Sequence, residues 1–291
     1  MSVLLGIGLG FSAAAVAARL RCAQWRIIGT ARTAEGADAI RDLGHEAVIF
    51  AGEEPGAGIS AAIADATHLL ISAGPDEAGD PVLRHLAGDL ARAANLAWIG
   101  YLSTVGVYGD HGGAWVDEDT PPQPKSERSI KRLAAEEAWR RFAEERGLPL
   151  QIFRLAGIYG PGRSPIDGLK MLKVRYVNKP GQVFNRIHVE DIAATVVAGI
   201  HAGKEASGVF NVTDDEPAPP QDVGIFAAGL LGAEPPEIVP WEKAELSPMA
   251  SSFYEANRRV RNRRIKEVLG VTLAYPTYRE GLRALVAGAN A

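Results

Sequence analysis

The stretch Val3-Leu4-Leu5-Gly6-Ile7-Gly8-Leu9-Gly10-Phe11-Ser12-Ala13 decides the fold. An apolar run of buried-strand length, in which Gly6 reads as part of the strand, leads into Gly8, Gly10 and Ala13 in a G-x-G-x-x-A pattern. An alanine-rich helical segment follows. Each position has a physical reason. Gly8 makes the tight turn, Gly10 has no Cβ to block a pyrophosphate, and Ala13 lets helix and strand pack closely. The helix opening at Phe11 and Ser12 offers free N–H groups and a positive dipole end to phosphates.

Working outward, short apolar runs alternate with longer segments of helical period. The runs are Val3–Gly8, Arg26–Ala31, Ala47–Phe50, His68–Ala73, Leu96–Ser103 and Leu150–Leu155. Helical stretches include Ser12–Leu20, Ala34–Leu43, Pro81–Ala94 and Glu127–Arg146, the last with Leu133, Ala134, Ala138 and Phe142 recurring on one face. This is the pattern of a Rossmann α/β fold, a doubly wound parallel sheet with helices on both faces. After about residue 155 proline and glycine rise, as in Tyr159-Gly160-Pro161-Gly162, and the loops lengthen. Residues 1–158 are therefore expected to bind the cofactor. Residues 186–214, with helix-patterned Val189–Ala202 and strand-patterned Val209–Val212, are expected to return to that domain, leaving 159–185 and 215–291 as a smaller, interleaved substrate region.

The end of the second strand reads Ile27-Ile28-Gly29-Thr30-Ala31-Arg32-Thr33, without the acid that usually binds the ribose 2′-hydroxyl of NAD. Arg32 suits a 2′-phosphate, with Thr30 and Thr33 as further donors, so NADP is expected over NAD. The bland alternative is a solvated loop arginine.

Composition narrows the partners. The chain has 291 residues, 47% hydrophobic and 23% charged, with a formal net charge of −4, the profile of a globular protein without the basic surface that nucleic acid demands. The single cysteine, Cys22, is expected in buried packing, and no Cys/His spacing suits a metal. A reducing, cytoplasmic setting is expected. The N-terminus has neither charged leader nor cleavage site, so no signal peptide or anchor is expected, and no window approaches the ~20 apolar residues of a membrane span. The expected partner is a small molecule, and a homodimer is compatible with this reading.

Several motifs together resemble the extended, epimerase/dehydratase-like branch of the short-chain dehydrogenase/reductase superfamily and its atypical members. They are the glycine turn, His68-Leu69-Leu70-Ile71-Ser72-Ala73-Gly74, Tyr101-Leu102-Ser103-Thr104-Val105-Gly106-Val107-Tyr108-Gly109, Arg154-Leu155-Ala156-Gly157-Ile158-Tyr159-Gly160-Pro161-Gly162 and Arg186-Ile187-His188-Val189-Glu190-Asp191. The resemblance implies that Ser72, Ala73 and Gly74 flank the cofactor. It also implies a hydroxyl, a tyrosine acid/base and a lysine four residues after it. The hydroxyl falls on Thr104, with Ser103 as its neighbouring alternative. The Tyr-x-x-x-Lys register reads Arg128 and Arg132, and a one-residue shift gives Glu127 and Lys131.

No tyrosine lies between Tyr108 and Tyr159. Because arginine does not deprotonate in proteins, standard alcohol oxidation is in doubt. Arg128 and Arg132 are either ligand contacts or solvated helix charge. The Asp-Glu pair of the dehydratases is replaced by Val105 and Gly106, which argues against dehydration. Asp80 is the nearest substitute for the family's helix asparagine, at the substrate, but as a residue it reads first as the N-cap of the helix Pro81–Ala94. Tyr108, Asp117, Glu118 and His188 are the local acid/base candidates. Arg163, Lys170, Lys173, Arg175 and Arg186 suggest an anionic substrate, which the resemblance makes a sugar nucleotide or small carbonyl compound, whereas the basic run 258–264 reads as a solvated turn. Two functions remain open at this point: an atypical NADP-dependent oxidoreductase or epimerase, or an NADP-binding sensor or scaffold that has lost its chemistry.

Overall fold

The computed structural model describes residues 1–56, 58–171 and 175–288. Its central sheet comprises β1 (Val3–Ile7), β2 (Arg26–Ala31), β3 (Glu46–Ile49), β4 (His68–Ile71), β5 (Trp98–Thr104), β6 (Leu150–Leu155) and β7 (Gly208–Val212). The seven strands run parallel in the order β7-β6-β5-β4-β1-β2-β3. Chain direction across the sheet reverses between β1 and β4, the switch point beyond which a ligand crevice opens.

The helices are α1 (Phe11–Cys22), α2 (Ala34–Asp42), α3 (Ile59–Asp65), α4 (Pro81–Arg92), α5 (Glu127–Arg146), α6 (Pro165–Met171), α7 (Val189–Ala202) and α8 (Pro220–Leu231), followed by shorter elements and a last helix, Tyr278–Gly288. Alternation along β1 divides the core. Leu4 faces Val16, Leu20, Ile192 and Val196 of α1 and α7. Leu5 and Ile7 face the opposite layer, with Ile63, Leu86 and Trp139 of α3, α4 and α5. Burial on both faces is why the strand reads as an unbroken apolar run.

Two expectations need correction, and one helix is added to those expected. The buried face of α5 is Ala135, Glu136, Trp139, Phe142 and Ala143, so of the expected stripe only Phe142 is buried, and Ala134 is exposed. The large Trp139 indole sets the rotation, packing beside Tyr101 and donating to Asp80 at 3.0 Å. Cys22 is exposed, because the buried stripe of α1 runs through Ala13, Val16, Ala17 and Leu20 and leaves it off that face. Helix α3 went unread, since seven residues give too little periodic signal.

Beyond β6 the chain builds small parallel ladders at the carboxyl edge: Gly157–Tyr159 with Arg186–His188, and Arg175–Asn178 with Glu237–Pro240. A separate apolar cluster, including Tyr159, Ile166, Val223, Tyr278 and Leu282, supports them. No helix among the described residues is long and apolar enough to cross a membrane.

Candidate cofactor and substrate cleft

The glycine turn has the geometry that a dinucleotide needs. Gly8 lies at φ +82°, a conformation that L side chains rarely adopt, and a Cβ there would stand 3.2 Å from Ala73 N. Its N–H donates to Thr30 Oγ1 at 2.8 Å. A Cβ on Gly10 would meet nothing within 4 Å, and no side chain caps α1, whose N-cap is Gly10. Open space thus faces unsatisfied N–H groups, which fits a pyrophosphate. Ala13 is fully buried against the sheet, and Ser12 lines the adjoining cleft. The Phe11 ring lies under the Arg163 guanidinium, 5.7 Å away.

Of the three residues expected at a 2′-phosphate, two are otherwise engaged. Thr30 is buried and holds the turn, and Thr33 caps α2 by accepting from Gly36 N. Arg32 is exposed at the end of β2.

A cleft of about 1030 Å³ extends from Ser12 and Ser72 past the end of β5 to Arg163 and Arg186. Thr104 Oγ1 accepts from Gly106 N at 3.0 Å, which leaves its proton for the cleft. Ser103, its neighbour on the strand, points to the other face and donates to Glu136 Oε1 at 2.5 Å. Glu136 is wholly buried, and Arg154 grips it with Nη2 at 2.7 Å from Oε2 and Nε at 3.1 Å from Oε1. Of the two hydroxyls, Thr104 has the donor to spare.

The register of α5 is settled by packing. Arg132 lines the cleft, its Nη1 donating to Leu102 O at 3.0 Å and Tyr101 Oη at 3.2 Å, with its guanidinium close beside Gly74. Arg128, one turn earlier, reaches the same cleft and is exposed. Lys131 is held by Glu127 at 2.7 Å and by Glu77. Ser129, which sequence reasoning missed, also lines the cleft and accepts from Ser126 Oγ at 2.9 Å. Its only available signal is the three-residue spacing from a capping serine.

Two candidate substrate contacts are corrected, and for Asp80 the N-cap reading holds instead. Tyr108 is fully buried, its hydroxyl donating to Asn211 Oδ1 at 2.7 Å, and burial pushes its pKa up. Asp80 is the N-cap of α4, accepting from Val82 N at 2.9 Å, Leu83 N at 3.2 Å and the Trp139 indole. Burial raises its pKa against those bonds. The other acid/base candidates are also engaged away from the cleft. Asp117 pairs with Thr120, Glu118 accepts from Asn211 N at 2.8 Å, and His188 lines a separate cavity. Tyr159 does line the cleft, but its buried hydroxyl packs against Gly281 and has no hydrogen-bond partner among the described residues.

Cations dominate the rest of the wall. Arg186 is fixed by Phe184 O at 2.9 Å and Ala218 O at 3.0 Å, and its burial lowers its pKa. Arg258 also lines the cleft, donating to Gly109 O at 2.7 Å, which corrects its reading as solvated. Lys170 lines the separate cavity, Arg175 pairs with Glu237 at 2.9 Å, and Lys173 lies outside the described residues.

Asp214 stands behind Arg186, and burial pushes its carboxyl up to about 8 against the pull of that arginine. The folded state therefore holds a proton that the unfolded chain releases near the ordinary carboxylate pKa of about 3.9. Stability from this group falls as pH rises from about 4 to 8. Asp214→Asn should lose less melting temperature than wild type between about pH 5 and about pH 9. Parallel losses in the two proteins would remove this account.

A family model described as the NAD dependent epimerase/dehydratase family matches residues 87–213, from α4 through β5, the two arginines and β7. The chain belongs to the NAD-dependent epimerase/dehydratase family. A functionally unknown conserved protein from Silicibacter pomeroyi DSS has a solved structure at TM-score 0.91 and 51% identity, over 99% of each chain. The 3-diazoavenalumate denitrifying reductase of a Streptomyces species is 30% identical over 210 residues, 67% of this chain and 66% of that protein, just under two thirds of its length. The dTDP-glucose 4,6-dehydratase of Bacillus anthracis, solved with NAD, shares the fold at TM-score 0.79 and 19% identity, covering 100% and 97% of the chains. The family assignment accounts for a Rossmann cofactor site in this member. It does not account for its arginines.

Proposed function

We propose that this family member is an NADP-dependent reductase of a small anionic carbonyl or sugar-nucleotide substrate, working without the tyrosine–lysine pair. The carrying observation is that Arg128, Arg132 and Thr104 line one cleft with Ser72 and with Ser12 at the start of α1. NADPH, when bound, supplies a hydride. Gly8, Gly10 and the start of α1 would hold its pyrophosphate, Arg32 its 2′-phosphate, and Arg132 its nicotinamide ribose. Thr104 would orient the acceptor by donating its free proton. Arginine does not serve as a proton donor in proteins, so the role of Arg128 is to stabilise negative charge developing on the acceptor. Water then supplies the product's proton.

Reduction is favoured over epimerisation because an epimerase must take and return a proton. None of Tyr108, Asp117, Glu118 and His188 lines the cleft. The Streptomyces relative is likewise a reductase. Arg163, Arg186 and Arg258 would neutralise the substrate's anionic part. On this reading residues 1–158 with 186–214 serve the cofactor, and 159–185 with 215–291 serve the substrate.

The test is oxidation of NADPH and of NADH by the protein across a panel of carbonyl compounds and sugar nucleotides. NADPH should be consumed in preference to NADH. Arg32→Ala should weaken NADPH binding by about tenfold or more, the worth of a charge-assisted hydrogen bond, and leave NADH binding unchanged. No turnover with either cofactor would overturn the reductase. Arginine in place of the tyrosine and lysine at positions 128 and 132 would then favour the second reading, an NADP-responsive sensor, and that reading fails if the protein captures the same partners with and without NADP.

A further inference from the structure

Helix α5 brings a second hydroxyl to the end of β5. Thr104 closes that strand, Ser129 stands in the first turn of α5, and both line the large cleft together with Gly106 and Arg128. A Cβ on Gly106 would stand 2.9 Å from Ser129 Oγ and 3.2 Å from Thr104 Oγ1, so the missing side chain leaves a recess flanked by the two hydroxyl oxygens. All three residues are only half-buried, and the recess opens to the cleft.

Each hydroxyl is held as an acceptor and keeps its proton. Thr104 Oγ1 accepts from Gly106 N at 3.0 Å, and Ser129 Oγ accepts from Ser126 Oγ at 2.9 Å. Ser126 Oγ in turn accepts from Ser129 N at 3.4 Å as the N-cap, which ties the position of the Ser129 hydroxyl to the helix. Two O–H groups fixed in advance beside one small space suit an oxygen on which negative charge develops. The first turn of α5 adds the positive end of its dipole.

We propose that Ser129 is a catalytic residue, its hydroxyl donating together with that of Thr104 to the oxygen of the substrate carbonyl in the recess over Gly106. This rests on the reductase reading and assigns the second donor of that reaction. As the carbonyl carbon takes the hydride of NADPH, the π pair of the C=O bond moves onto the oxygen. The two hydroxyls and Arg128 stabilise that oxygen until water protonates it.

The probe is the carbonyl compound that wild type reduces fastest in the NADPH panel. Ser129→Ala should lower kcat by about tenfold to a hundredfold, the range for one such donor among several, and leave KM within about threefold. Its melting temperature and its NADPH affinity by calorimetry should stay close to wild type. Gly106→Ala fills the recess while sparing both hydroxyls, so it should lower kcat in the same way, and it decides the matter if Ser129→Ala does not fold. With NADP in place of NADPH no hydride is available, and difference infrared spectra of the bound, 13C-labelled probe should place its C=O stretch lower in wild type than in Ser129→Ala. If wild type reduces the probe and the folded variants match its kcat and its C=O stretch, Ser129 is not a donor and the reductase stands. A loss that follows only melting temperature or NADPH affinity overturns the assignment equally. If wild type reduces nothing in the panel, the reductase falls and this inference falls with it.

Discussion

Glu136→Leu is expected to cost about 3–5 kcal/mol of stability, the usual penalty for removing one partner of a buried ion pair. Glu136 has no exposed surface and Arg154 is 3% exposed, so no water replaces the lost carboxylate. The variant strands the guanidinium beside the Tyr108 ring, 4.9 Å from its centroid, and removes the acceptor of the Ser103 hydroxyl. The attraction is local, and the desolvation of Arg154 that it offset is left uncompensated. Glu136→Leu combined with Arg154→Met should recover much of the loss, because removing both charges removes the stranded one. Urea midpoints of the two single variants and the double variant check this. Additive losses would show that the pair is not energetically coupled.

Gly10→Asp is the second large effect, and it separates binding from folding. The new Cβ meets open space, and Gly10 already has an extended φ of −85° at the N-cap of α1. Aspartate is a favoured N-cap and its charge suits the helix dipole, so the melting temperature should hold or rise slightly. That side chain would occupy the space in front of the free N–H groups, opposing a pyrophosphate by bulk and by like charge. Cofactor affinity should fall by about a hundredfold or more, on the order of 3 kcal/mol. Calorimetric titration of NADPH beside thermal melting provides the check. A variant that binds NADPH normally would place the pyrophosphate elsewhere.

The glycine turn was legible because its determinants are local: a strand, two glycines and a helix start lie within eleven residues. Cap and strand boundaries were legible for the same reason, and the bounds of α5 match those read from its helical pattern. Which residues of α5 face the cleft was not. A one-residue shift rotates a helix position by roughly a quarter turn, so Arg128/Arg132 and Glu127/Lys131 are both reasonable on pattern alone. Contacts with Leu102 and Tyr101, about thirty positions away in the chain, turn Arg132 inward and leave Lys131 to Glu127 and Glu77. Similarly, Tyr108 looked like a site residue until Asn211, 103 positions later, took its hydroxyl. Arg258 looked solvated until its bond to Gly109 placed it at the cleft.

The sequence by itself determined that the chain makes a Rossmann sheet with a phosphate turn at Gly8 and Gly10, and that no tyrosine stands where the family's acid belongs, because these depend on residue identity and short-range spacing. Only the tertiary structure decided which charged side chains face the cleft and which are consumed in caps, buried pairs and surface bridges. The physical reason is that a polar side chain's role depends on whether its hydrogen-bonding groups are already satisfied, and the groups that satisfy them come from distant parts of the chain.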